Sequence, residues 1–189
     1  MNAAENAAEN TAALDRMFAA IDAMNVPPGY RVEIVGGQIV LNEHRAVHST
    51  IIRRLVGAVA DARGHDANVL WDVRIDFPGD LNGYAPDVAL VRDGAEEDEN
   101  GNHGYRDVEM VAEVVSRGSR RDDYDAKLVT YARAGVPTYV IADPKRGFVH
   151  VHHEPNGDEY DDVSTYAFGT AFGLPGTDIV VDTSDWPRG

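Results

Sequence analysis

VAEVVSRGSRRDDYDAKLVTY, residues 111–131, decides the fold. The opening Val-Ala-Glu-Val-Val is short and rich in valine, the composition of a buried strand. Its single acid, Glu113, needs a proton, a cation or a metal, because stripping water from an unpaired carboxylate costs several kcal/mol or more. A polar turn follows at Ser116 to Ser119, and helical spacing continues over 120–134. Ser119 suits the N-cap position, and Asp122 and Asp123 fall in the first turn, where the helix dipole favours acids. Gly135 and Pro137 stop the helix. A second apolar run over 138–142 makes a strand. Strand, helix and strand over this length form a crossover, which predicts two parallel strands in one sheet.

Outward from this unit, the chain reads as an α/β domain, or α+β, with a mixed, curved central sheet flanked by helices. An N-terminal β-hairpin is expected over 30–41, turning at Gly36-Gly37. A long helix is expected over 44–63, carried by Val47, Ile51, Leu55, Ala58 and Val59 and stopped at Gly64. A strand pair is expected over 67–71 and 73–77, then a loop, then a strand entered through Pro86-Asp87. Residues 93–104 are acidic and polar and read as an exposed, mobile loop. A short strand is expected over 148–152, another over 164–168, and two apolar stretches close the fold. One domain is expected over 13–183, with a frayed extension over 1–12 and a loose tail over 184–189. Within that extension and beyond it, residues 12–24 could form a short amphipathic helix.

Composition sets limits. There is no cysteine, so neither disulfides nor thiolate chemistry are available. No apolar run approaches the ~18 residues of a membrane span. The N-terminus lacks the basic start and apolar core of a signal peptide, so a cytoplasmic address is expected. Lys and Arg number 17 against 32 Asp and Glu, a formal charge of −15, which argues against non-specific binding to phosphates. The central helix is an exception: Arg117, Arg120, Arg121, Lys127 and Arg133 outnumber the nearby acids. A solvated helix face accounts for this equally well.

Three residues can carry chemistry together. Asp87 lies at a strand mouth, Glu113 lies within a strand, and Lys127 lies on the following helix. Two carboxylates from adjacent strands can hold Mg²⁺ through oxygen, and a lysine beside them can orient water or offset phosphodiester charge. Lys127 and Tyr131 share a helix face, while Asp123, one turn earlier, can instead pair with Lys127. His150, His152 and His153 could bind a transition metal, although an exposed strand face explains their alternation better. His44 and His48 are four apart, but the zinc-protease motif is absent.

Pro86-Asp87, Glu113-Val114-Val115-Ser116, Arg121-Asp122 with Lys127, and the run from Tyr131 to Tyr139 with Asp143-Pro144 resemble the Uma family. Its members are restriction-endonuclease-like proteins of the PD-(D/E)XK nuclease superfamily. The likeness spans about residues 30–153 and includes Tyr30, Glu33 and Gly37 in the hairpin and His48 in the long helix. It implies a restriction-endonuclease-like fold and an endonuclease using Mg²⁺ or Mn²⁺, with a metal-activated water attacking DNA or RNA. Asp87 and Glu113 would be the metal ligands and Lys127 the third catalytic residue. Glu33, His48 and Tyr131 would assist, and Arg117, Arg120 and Arg121 would meet the nucleic acid. The superfamily's usual lysine position, two residues after the acid, is Val115 here, so Lys127 would be a migrated lysine. Related folds often form homodimers, which is analogy only. The alternative is a nuclease fold without catalysis, working as a binding module through its acidic surface, or a purely structural pairing of Lys127 with Asp123 or Glu113.

Overall fold

The computed structural model describes residues 3–43, 46–98, 101–116 and 118–189. In chain order the described elements are α1 (Ala3–Asp22), β1 (Tyr30–Val35), β2 (Gln38–Glu43), α2 (Ala46–Arg63), β3 (Val69–Leu70), β4 (Ile75–Phe77), β5 (Asn82–Tyr84), β6 (Val88–Val91) and β7 (Val108–Val114). They continue with α3 (Arg120–Tyr124), α4 (Ala126–Arg133), β8 (Thr138–Asp143), β9 (Phe148–Asn156), β10 (Glu159–Ala167), β11 (Ala171–Gly173) and β12 (Val180–Asp182). A six-stranded sheet runs β10-β9-β8-β7-β6-β3, and a four-stranded sheet runs β2-β1-β5-β4.

The crossover expected from residues 111–131 is present. β7 and β8 pair in parallel, Glu113 opposite Ile141, while β6 pairs antiparallel with β7. Alternation along β7 separates two cores. Met110, Ala112 and Val114 pack with Ile51, Leu55 and Val59 of α2. Val111 and Val115 point the other way, toward Tyr131 and Ala132 of α4 and Phe77 and Tyr84 of the smaller sheet. Glu113 lies on this second face, in the company of aromatic rings.

Several local expectations change. The helix over 120–134 is two helices, because Asp125 leaves helical geometry at φ −116°, ψ −80°; aspartate competes with the backbone for its hydrogen bonds and is a poor interior helix residue. Ser119 makes no side-chain cap. Its hydroxyl instead accepts a bond from the Ser116 N–H at 3.0 Å. β3 and β4 do not pair with each other: β3 joins β6, and β4 joins β5, a strand inside the expected loop. Asp72, between them, takes a left-handed φ of 55°, which diverts the chain from one sheet to the other. β9 and β10 are longer than the patterns suggested and form one hairpin.

The N-terminal helix starts at Ala3, within the stretch expected to fray. It packs Leu14 and Ile21 on Ile34 of the hairpin. Trp186, in the expected tail, is buried edge-on against Phe168. The acidic stretch over 93–104 folds back through a Glu97–His103 bridge, with His103 buried; Glu99 and Asn100 lie outside the described residues. No described helix is long and apolar enough to cross a membrane.

Candidate active site at the junction of the two sheets

The two acids meet because of register. Val88 pairs with Ala112, so Asp87, one residue earlier, stands across from Glu113. The Val114 N–H donates to Asp87 Oδ2 at 2.6 Å, which fixes that carboxylate at the strand mouth. The hairpin strand β1 approaches from the smaller sheet. Asn82 ties it down, accepting from the Gly36 N–H at 2.6 Å and donating to Thr130 Oγ1 of α4 at 3.0 Å.

Lys127 converges on the same place, and it is wholly buried. Its Nζ lies 2.8 Å from Glu113 Oε1, 3.0 Å from the carboxylate of Glu33 and 3.5 Å from Asp123 Oδ1. Tyr131, one turn along α4, donates its hydroxyl to the same Glu113 oxygen at 3.0 Å. Glu33 also accepts from Asn42 Nδ2 at 2.7 Å and the Ala85 N–H at 3.0 Å. The sequence left open whether Lys127 pairs with Asp123 or Glu113; it meets both, and Glu33 as well.

A residue outside the sequence reading completes the cluster. Arg31 Nη1 lies 2.9 Å from Asp87 Oδ1 and 2.8 Å from Asp72 Oδ1, and Nη2 lies 3.9 Å from Glu113 Oε2. The signal was available: Arg31 and Glu33 are two apart on one strand and therefore share a face.

Charge in this cluster is unbalanced. Four buried carboxylates, Glu33, Asp87, Glu113 and Asp123, surround two cations, Lys127 and Arg31. Burial pushes Glu113 up to about 8, against the pull of Lys127 and with the push of Asp87 and Glu33. Burial likewise raises Asp123 to about 6, although Lys127 opposes it. Burial would lower Lys127, but Glu113, Glu33 and Asp123 outweigh it and hold the ammonium well above its ordinary range. Desolvation drives the Tyr131 phenol up, so it stays a donor.

The remaining expected residues lie elsewhere or are not described. His48 is buried near the start of α2 and lines a cavity of about 380 Å³ with Val115, Ser116, Arg120, Asp143 and Lys145. Arg120 Nη2 reaches Asp143 Oδ2 at 3.5 Å. Arg121 is exposed on a separate surface, beside Asp122 and Asp125. Arg117 and His44 lie outside the described residues. The histidines of β9 do not share an exposed face. His150 Nδ1 bonds Thr165 Oγ1 at 2.9 Å, His153 sits by the Pro137 carbonyl, and His152 is buried between the rings of Tyr139 and Tyr160. Among the described residues, no three His, Asp or Glu side chains are grouped to hold a metal ion.

A mixed sheet with a parallel crossover is joined to a hairpin that brings Arg31 to the two strand acids and Glu33 to Lys127, the architecture of a restriction-endonuclease-like domain. The chain belongs to the Uma2 family, described as "Putative restriction endonuclease", which matches residues 17–179. Among solved structures it is similar to a protein of Anabaena variabilis ATCC 29413, described as a putative nuclease belonging to DUF820. That likeness has a TM-score of 0.64 at 16% identity and covers 86% of this chain and 88% of the other. It supports the fold. No curated protein matches the chain.

Proposed function

We propose that this chain is a divalent-metal-dependent endonuclease that hydrolyses phosphodiester bonds of DNA or RNA, with Mg²⁺ or Mn²⁺ held by Asp87 and Glu113. The observation that carries the proposal is the convergence of these two acids from adjacent strands, in a cluster whose buried carboxylates outnumber its cations. Asp87 Oδ1 and Glu113 Oε2 are hard oxygen donors turned toward one positive group, the donor chemistry that suits such an ion. When bound, the ion supplies Lewis acidity toward a phosphoryl oxygen and a more acidic water.

The protein's own groups then divide the work. Asp87 is oriented through Oδ2 by the Val114 N–H, which leaves Oδ1, now paired with Arg31, as the oxygen an ion would take. Lys127 is enclosed by three carboxylates, so it acts through Glu113, holding it in place and setting its charge. Tyr131 and Glu33 are positioning residues, one for Glu113 and one for Lys127. The cavity lined by His48, Ser116, Arg120 and Lys145 lies at the carboxyl ends of the parallel strands, where α/β folds commonly bind ligands; Asp87 and Glu113 are not part of its lining, and in this reading a nucleic-acid strand bound there would have to reach them from that side. A homodimer would bring two such sites to a duplex, and the cytoplasm is the place of work in this reading.

Incubation of single- and double-stranded DNA and RNA with Mn²⁺ is the test. Cleavage that is lost in Asp87→Asn and Glu113→Gln, and in chelator, is expected. Absence of cleavage, or cleavage unchanged in Asp87→Asn, removes the proposal.

A second reading, a nuclease fold retained for binding alone, is favoured by one observation: Arg31 already bridges the two acids. It predicts no Asp87-dependent ion binding in any variant.

A further inference from the structure

We propose that Arg31 competes with a divalent ion for Asp87 and Glu113, that the ion must displace it toward Asp72, and that this exchange sets the ion affinity. The inference rests on the metal-dependent reading above and adds how that site is regulated.

The geometry points to exchange because one nitrogen serves two carboxylates. Arg31 Nη1 is 2.9 Å from Asp87, an inner acid, and 2.8 Å from Asp72, an outer one. The Asp87 and Glu113 side chains are 1% and 2% exposed, Arg31 14% and Asp72 46%. The guanidinium therefore lies on a short path from the interior to water, with a counter-ion at each end. Its stem end is weakly anchored: Nε is buried and makes no hydrogen bond. A divalent ion held by Asp87 and Glu113 would compete with the guanidinium for the same two carboxylates. Two cations drawn to the same pair of acids repel each other strongly in a partly dry site. Rotation of the long arginine side chain onto Asp72 relieves the repulsion and leaves the fold intact.

Calorimetric titration with Mn²⁺ at fixed pH tests the exchange, using wild type, Arg31→Gln, Arg31→Lys, Asp72→Asn and Arg31→Gln/Asp72→Asn, with Asp87→Asn as the blank. Removing a competing charge near 4 Å is expected to tighten binding in Arg31→Gln by about ten-fold or more. Arg31→Lys, too short to reach both acids, is expected to tighten it by less. Asp72→Asn removes the outer resting place and is expected to weaken binding severalfold in wild type, but by less in the Arg31→Gln background, because the two residues act together. A residue with only a structural role would weaken binding whenever it is changed. On Mg²⁺ saturation, the guanidinium NMR signal of Arg31 is expected to move.

Arg31→Gln binding no tighter than a wild type that binds through Asp87 overturns the exchange and leaves the metal site standing. Equal effects of Asp72→Asn in both backgrounds also overturn it. Absence of Asp87-dependent binding in wild type and Arg31→Gln alike removes both. Should Arg31→Gln fail to fold by circular dichroism, Arg31→Lys and the Arg31 signal decide: no tightening and no movement overturn the exchange.

Discussion

Lys127 Nζ and Glu113 Oε1 lie 2.8 Å apart, an ion pair made between a strand and the helix that crosses over from it. Neither partner touches water to any extent. Removing Lys127 leaves three buried acids without their cation, and removing Glu113 takes from the buried ammonium one of its three carboxylate partners; such losses typically cost about 3–5 kcal/mol. Lys127→Met should therefore destabilise the fold by roughly that amount, since Glu33, Glu113 and Asp123 all lose their shared cation. Adding Glu113→Gln to Lys127→Met should recover part of the loss, which chemical denaturation can read. An unchanged midpoint in Lys127→Met would contradict the pairing.

Tyr131 has two separable roles. Its ring meets Phe77, Tyr84 and Tyr139 edge-on, and its hydroxyl bonds Glu113. Tyr131→Phe keeps the ring and should cost only about 1.5–3 kcal/mol, the worth of a buried hydrogen bond to a carboxylate. Tyr131→Ala should cost about 3–5 kcal/mol. Comparable losses in the two variants would show that the hydroxyl dominates.

His152 gives the fold an acid limit. Burial between Tyr139 and Tyr160, with a smaller push from His150, lowers it to about 4. The unfolded ring takes up its proton near pH ~6.5. Because the folded value is depressed, the contribution is complete above the unfolded value and is lost as pH falls through about 4. The slope should amount to about 2 kcal/mol between these limits, allowing for the ring's remaining contact with water. His152→Phe should flatten that part of the stability profile. A wild-type profile already flat over this range would count against the assignment.

Gly83 is pressed by the first helix. A Cβ there would lie 2.4 Å and 2.8 Å from ring atoms of Phe18. Gly83→Ala should cost about 1–3 kcal/mol through overpacking, and Phe18→Leu in the same chain should return part of it. Thermal melts of the single and double variants check this. Equal melting temperatures for wild type and Gly83→Ala would mean the ring moves aside freely.

Much of this arrangement is legible in the chain because it is local. The valines around Glu113, the stop at Gly135 and the apolar run beginning at Thr138 specify a crossover, and the Gly36-Gly37 pair specifies a hairpin. Pro86-Asp87 marks a strand entrance, and antiparallel register does the rest, bringing Asp87 opposite Glu113. What escaped depends on distant contacts. Arg31 meets Asp87 across 56 positions, and only assembly of two sheets brings them together. The brief β4 and β5 carry too little alternation to announce their pairing. The kink at Asp125, which reorients Lys127, is one residue inside an otherwise regular helical pattern. Glu33 reads only as an auxiliary acid because its partner lies 94 positions away.

The first helix has a consequence for the acids at the junction of the two sheets. Arg31 and Glu33 both ride on β1, and β1 is clamped by Ile34 against Leu14 and Ile21. A chain clipped between Asp22 and Tyr30 would loosen that clamp, and the hairpin would carry both side chains away from Asp87 and Lys127 together. Integrity at one end of the polypeptide is thus wired into the electrostatics of its middle.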